Sequence, residues 1–385
     1  MASLVPEKRD AAGTHVLVLG VSAYRHFEGG AAPTQRGKRF RMRQLSAAAR
    51  SASEFAAWML GSYRNPDAPL ASLRVLLSPA DGEQIDPMVA ALLPSTPEAS
   101  AATLANVKAE LLAFRTACAS HPGNVAIVYA AGHGVQVSKN GAIVLLHDCG
   151  DDAHLTELEG AIDMAGVHAG FDHPDTAQTQ FWFIDACRQE PAMAERYETM
   201  EAGLTLDTLP GMARCNPMFL AASTQMAAFA RTQGRTLLCE ALLAGLRGGF
   251  AAPPGDGIAS WHVSVNEFTR RLVPQVQALA QAESLDQPMD LGGRPNQALF
   301  HAFDQPPEAV VDVTVQPAEL AAHCVGTLSH RVLGKLLDAN QQWPMHGVVR
   351  AGIYELSVLV GEPAREVFDY ITVVPPLYVH RVEVG

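Results

Sequence analysis

Short apolar runs alternate with segments whose apolar positions recur every three or four residues. Residues 15–22, 73–77, 125–129, 143–146, 181–184 and 218–222 are near-continuous aliphatic or aromatic runs, the pattern of strands buried on both faces. Between them, residues 45–60 carry Leu45, Ala49, Ala52, Phe55, Ala56 and Met59 at helical spacing. Thr103 reads as an N-cap for a second helix through Leu104, Val107, Leu111, Leu112 and Phe114. Residues 155–167, 235–246 and 263–280 read as further helices, the last with Pro274 as a local fault. Residues 24–44 and 83–102 read as loops. Strands alternating with helices predict an α/β fold, a mostly parallel sheet flanked by helices on both faces.

The pattern changes after residue 303. Residues 310–316, 347–360 and 366–374 alternate with a period of two, which predicts a small antiparallel C-terminal β-sandwich. The expected organisation is a loose arm over 1–13, an α/β domain over 14–303, a Gln305-Pro306-Pro307 linker and an all-β accessory domain over 304–385.

Composition narrows the function classes. The chain has 385 residues, 48% of them apolar, and a net charge of −12, which argues against nucleic acid as a partner. The single basic run, Arg36 to Arg43, is short and reads as a solvated loop. Neither a span of roughly 18 apolar residues nor a signal-peptide core stands out, so the expectation is a cytoplasmic protein without a membrane partner. Ala- and Arg-rich usage fits a bacterial source. The six cysteines lack CxxC or zinc spacing and read as free thiols, and no P-loop or GxGxxG is present.

Two strands carry the candidate chemistry. Residues 124–134 run from an apolar strand into Gly132-His133-Gly134, and residues 180–189 run from another into Asp185-Ala186-Cys187-Arg188. Parallel strands bring their C-terminal ends to one sheet edge, where α/β sites form. An imidazole accepts or donates a proton near neutral pH, and a thiol beside it is an activated nucleophile. Glycines flanking His133 allow a sharp turn and close approach of backbone N–H groups to a substrate.

These residues resemble the caspase-like cysteine peptidases. That family places Gln-Ala-Cys and then Arg, Gln or Gly about 50 residues after its histidine; here Cys187 follows His133 by 54. Gly20-Val-Ser-x-Tyr24 is similar to the family's opening strand, and residues 219–225 to a later substrate-pocket strand. The resemblance spans about 14–300. Ser51-Ala52 and Asn124 stand where the family often has Asp-Ala and Asp, positions without a chemical role. The resemblance implies Cys187 as nucleophile, His133 as general acid/base, the N–H groups of Gly134 and Cys187 as oxyanion hole, and no obligatory third catalytic side chain. Relatives that cut after Arg or Lys carry Asp two residues before the cysteine, as Asp185 here, whereas animal caspases carry Gln. An acidic pocket floor suits a guanidinium, so basic P1 residues are expected, with Ser223 and Glu28 as further pocket candidates. Arg36-Gly37, in the loop where animal caspases bind Asp, supports the alternative of acidic P1.

Further expectations follow from the same likeness. Arg196 and Arg214 are candidate self-cleavage sites in residues 190–216. No cofactor is expected; a calcium site at Asp148, Asp151 and Asp152 is the alternative to a solvated acidic loop. The partner is a polypeptide substrate, with a small nucleotide signal or an activating protein as trigger, as in bacterial relatives that act in antiphage defence. The rival classes are a non-catalytic scaffold of the same fold, which would not need both His133 and Cys187, and a redox sensor, for which Cys187 lacks a resolving cysteine at a telling spacing.

Overall fold

The computed structural model describes residues 3–4, 11–136, 141–188, 202–207, 213–232, 234–255, 257–330, 334–340, 343–361 and 365–384. Its contacts divide the chain into two units: Met1–Leu243 with Phe268–Leu299, and Ala244–Glu267 with Phe300–Gly385. Residues 244–267, placed by the sequence in the first domain, thus fall in the second unit. Among the described residues no helix is long and apolar enough to cross a membrane.

The first unit is built on a six-stranded sheet. Its strands are β1 (Thr14–Val21), β2 (Leu70–Ser78), β3 (Val125–Gly132), β7 (Thr179–Ala186), β8 (Met218–Leu220) and β10 (Asp290–Gly292), in the order β10-β8-β7-β3-β1-β2. Every neighbouring pair is parallel except β8 with β10. The chain is therefore a mixed α/β protein with flanking helices; five of the six apolar runs predicted as buried strands fall in this sheet, whereas 143–146 supplies a strand of a separate three-stranded sheet. Ser3 and Leu4, expected in a loose arm, hydrogen-bond to Leu73 of β2.

Alternate strand residues serve the two faces. Leu17, Leu19, Val128, Trp182 and Ile184 join a core with Val107, Leu111 and Phe114 of helix α5 (Leu104–Cys118), and with Val167 and Phe171 of α6 (Met164–Phe171). On the opposite face Phe55 of α2 (Ala48–Gly61) stacks on Tyr129, and Phe268, in the helix Val265–Ala282, meets Phe183 and Phe219 edge-on. Gly20 lets α2 come close: a Cβ there would lie 2.6 Å from that of Ala52. The first turn of α2 has no cap of its own. Ser22 Oγ accepts from Ala49 N and Glu83 Oε1 from Arg50 N, which fixes the helix relative to the end of β1.

Several expectations need correction. Residues 155–167 are not one helix: β6 (Ala161–Asp163) pairs with β5 (Ile143–Leu145), and α6 begins only at Met164, where the Asp163 carboxylate caps Ala165 N. The segment 83–102 contains two short helices, α3 (Pro87–Ala90) and α4 (Pro97–Ser100), each with proline in its first turn, where the missing N–H is not needed. The loop 24–44 contains α1 (Gln35–Arg39).

In the second unit, β9 (His262–Ser264) pairs with β11 (Leu299–Ala302). Two further sheets face one another across a shared apolar core that includes Val311, Val313, Leu328, Tyr354, Leu356 and Val373. One has the order β15-β12-β18 (Met345–Arg350, Glu308–Gln316, Leu377–Glu383) and the other β14-β13-β16-β17 (Gly334–Asn340, Cys324–His330, Gly352–Val360, Arg365–Val373). The expected all-antiparallel arrangement is not met, because β12 pairs with β18 in parallel. The run 347–360, read as one strand, supplies β15 and β16 to different sheets. The break falls at Ala351, whose N–H donates to the Pro307 carbonyl.

On the α5 face Arg74 Nη1 and Glu110 Oε2 form a buried ion pair at 2.7 Å, with side chains 7% and 4% exposed. Removing one partner takes a close counter-charge from a group in low dielectric. Glu110→Ala is expected to lower the unfolding free energy by about 3–5 kcal/mol in urea denaturation, whereas Arg74→Met with Glu110→Leu costs far less. A loss under about 1 kcal/mol for Glu110→Ala would contradict the assignment.

Candidate active site

Register brings the two candidate catalytic residues together. β3 and β7 pair in parallel from Val125↔Thr179 to Gly132↔Ala186. The next residues are His133 and Cys187, on chains about 4.8 Å apart. Both line one cavity of about 290 Å³, whose wall also includes Gln44, Ser46, Asp185, Ala228 and Thr236.

His133 is held from two sides. Its N–H donates to Tyr24 Oη at 2.6 Å, and the two rings stand 4.9 Å apart. Tyr24 is fixed in turn by stacking on Phe27 and by donating to the Val21 carbonyl. His133 Nε2 lies 2.7 Å from the Arg43 carbonyl oxygen. A carbonyl only accepts, so this contact assigns the proton to Nε2 and leaves Nδ1 as the basic atom. Burial lowers the His133 pKa from its ordinary value, and the Arg43 carbonyl offsets part of that shift.

Cys187 is the one cysteine of the six that is not buried. Ala228 N donates to its sulfur at 3.3 Å, and the thiol reaches the Ala228 carbonyl at 3.6 Å. Burial raises the thiol pKa, the Ala228 contact offsets it, and the Asp185 carboxylate adds to the rise. Burial thus disfavours the charged form of both groups, the thiolate and the imidazolium.

Gly134 lies against the backbone of Cys187. A Cβ there would stand 2.2 Å from the Cys187 carbonyl oxygen, so no other residue fits. Gly134 opens β4 (Gly134–Val135) and pairs with Val144 of β5. Leu145 N donates to the His133 carbonyl, which makes Gly134–Val144 a non-hydrogen-bonded pair, and the Gly134 N–H points away from β5.

Asp185 forms the buried acidic part of the cavity wall. Its Oδ2 accepts from Tyr129 Oη at 2.5 Å and from the Thr236 hydroxyl. Its Oδ1 is buried with no hydrogen-bond partner among the described residues. Burial pushes the carboxyl up to about 6 from 3.8, and the Thr236 and Tyr129 hydrogen bonds hold it from rising further. Thr236 is itself anchored by its N–H to Ser51 Oγ at 2.9 Å. Ser51, read from sequence as having no chemical part, thus supports the acid.

The other sequence candidates lie elsewhere. Ser223 and Glu28 are not in this wall; Ser223 N donates to the Pro288 carbonyl, and Glu28 stands exposed 3.7 Å from Arg43. The Arg36 guanidinium donates to the carbonyls of Asp151 and His154, so the residue that supported acidic P1 is engaged outside the cavity. Arg214 is exposed, and Arg196 lies outside the described residues. In the acidic loop, the Asp148 carboxylate caps Leu104 N of α5, and Asp151 accepts from Ala153 N and faces His26 at 3.5 Å. Among the described residues no three His, Cys, Asp or Glu side chains converge as a metal site.

Sequence reasoning missed Tyr24 as the anchor of His133, and also Tyr129, Thr236, Ala228 and the Arg43 carbonyl. Tyr24 had a signal, the Gly20-Val-Ser-x-Tyr24 stretch. A backbone carbonyl has none, since every residue carries one. No model of a known protein family and no curated protein matches this chain.

The raised Asp185 pKa has a measurable consequence. Between about pH 4 and 6 the native state holds more protons than the unfolded chain, so stability falls as pH rises through that window, and the cost is complete above it. Asp185→Asn is expected to be more stable than wild type at pH 7.5, by roughly 1–3 kcal/mol, with the gap closing below pH 4. An unchanged gap across this range in thermal melts would refute the shift.

Proposed function

We propose that this chain is a caspase-like cysteine endopeptidase that cleaves polypeptides after Arg or Lys and, as the resemblance implies, works as a signal-activated effector in bacterial antiphage defence. One observation carries the peptidase reading: a thiol, an imidazole and a buried carboxylate with an unpaired oxygen share the wall of a single cavity.

The roles are those the resemblance implies. A substrate carbonyl placed over Cys187 is attacked by sulfur while the thiol proton passes to His133 Nδ1. The S–C bond forms, the carbonyl π pair moves to oxygen, and the Gly134 N–H is available to the oxyanion. The Nε2–H to Arg43 bond stabilises the imidazolium that results. That imidazolium then protonates the leaving amine as the peptide C–N bond breaks. Water, deprotonated by the regenerated imidazole, hydrolyses the thioester and frees the thiol.

The basic P1 preference rests on Asp185. An entering guanidinium or ammonium gives Oδ1 the donor it lacks and favours the ionised carboxylate that burial disfavours. Binding of Arg therefore releases a proton, and KM for an Arg substrate should rise as pH falls below about 6.

A fluorogenic peptide panel varying P1 tests this, run with cell lysate as a source of activator. Expected are cleavage after Arg and Lys, none with Cys187→Ala, and a fall of at least about 100-fold in kcat/KM for Arg with Asp185→Asn. Cleavage after Asp with no loss in Asp185→Asn would overturn the specificity. Equal signals from wild type and Cys187→Ala would leave the scaffold reading in its place.

A further inference from the structure

The first unit contains a second, larger cavity, of about 620 Å³, at the C-terminal end of β2. That volume is in the range that holds small-molecule ligands. Leu77, Ile85 and Leu93 make apolar wall, and Arg25, His147 and Glu98 are its charged or titratable residues. The Arg25 guanidinium is exposed and forms no hydrogen bond or ion pair among the described residues; the Asp151 carboxylate is near enough to feel its charge. His147 Nδ1 is taken by the Ala23 carbonyl at 2.7 Å, which leaves Nε2 as the ring's remaining polar atom. Glu98 stands exposed on α4, where it suits a hydroxyl or N–H donor.

The cavity shares a segment with the catalytic histidine. Arg25 N donates to the His147 carbonyl and His147 N to the Ala102 carbonyl, while Ser22 N and Ala23 N both donate to the Ser78 carbonyl. Ala102 N donates to Ser78 Oγ. Ser78, Ala101, Thr103 and His147 line the cavity, and Tyr24, set between Ala23 and Arg25, holds the His133 N–H. One hydrogen-bonded ladder thus joins the cavity wall to the anchor of His133.

We propose that this cavity binds a small amphipathic ligand, an apolar ring system carrying an acidic group that pairs with Arg25, and that its occupancy is transmitted to His133 through Tyr24. The binding stands independently. The transmission deepens the peptidase reading and rests on it for its effect on catalysis.

The probe is 8-anilinonaphthalene-1-sulfonate, with N-phenyl-1-naphthylamine as the same ring body without the acid. Fluorescence titration of the full chain is expected to give one saturable sulfonate site. Arg25→Gln should weaken the sulfonate about tenfold or more and leave the neutral amine unchanged. Ala31→Trp and Ala90→Trp, both at exposed wall positions, should weaken both dyes by filling the space. Sulfonate binding that ignores all three substitutions, or no saturable binding, overturns the site. In NMR spectra of the imidazoles, saturating dye should shift the His133 signals in wild type and not in Ala90→Trp; unmoved His133 signals overturn the transmission. Failure of the peptide panel would leave the dye titration intact, so the two readings fail separately.

Discussion

The register between β3 and β7 is the constraint on which the rest depends. With Gly132 opposite Ala186, the strands end level and the chains leave the sheet side by side as His133 and Cys187. A slip of β7 by one residue would turn Asp185 away from Tyr129 to the other face, where Trp182 and Ile184 pack against α5 and α6. The in-register pairing is enforced by burial: all eight residues of β3 are buried, and seven of the eight of β7. The same large core that stabilises the sheet therefore sets the separation of sulfur and imidazole.

Around that point the molecule accepts local instability. A carboxylate at 3% exposure, with one oxygen lacking a partner among the described residues, works against folding at neutral pH. Tyr129, Thr236 and Ser51 compensate only in part, since they serve Oδ2 and leave Oδ1 buried without a partner among the described residues. A purely structural acid would be expected to find partners for both oxygens. On the proposed reading, that mismatch is the feature a cationic guest would satisfy. Burial works against charge on both neighbouring groups, raising the Cys187 thiol and lowering the His133 imidazole.

Much of this was legible in the sequence because it rests on period and order. The parallel strands announced themselves as unbroken aliphatic runs, and the Gly-His-Gly and Asp-Ala-Cys turns stood at their ends. Asp185 was visible as the residue two before the cysteine, on the same strand face. What sequence could not show were contacts made by backbone or across long separations: the Arg43 carbonyl on His133, Ala228 on the thiol, and Ser51 beneath Thr236. Glu28 and Ser223 were placed by local likeness alone, and neither reaches the cavity. Residues 155–167 looked helical because apolar spacing does not reveal a three-residue strand feeding directly into a capped helix. In the second unit the alternation gave strands, but alternation is blind to partner and direction, so the parallel pairing of β12 with β18 was hidden.

The most direct test of the central claim is covalent. The full chain, incubated with a peptidyl-arginine chloromethyl ketone and digested for mass spectrometry, should gain one adduct, on the Cys187 sulfur, with chloride displaced. The five buried cysteines should stay free, and His133→Ala should slow the labelling sharply. Alkylation spread over several cysteines, or a Cys187 that reacts equally fast without His133, would contradict the account.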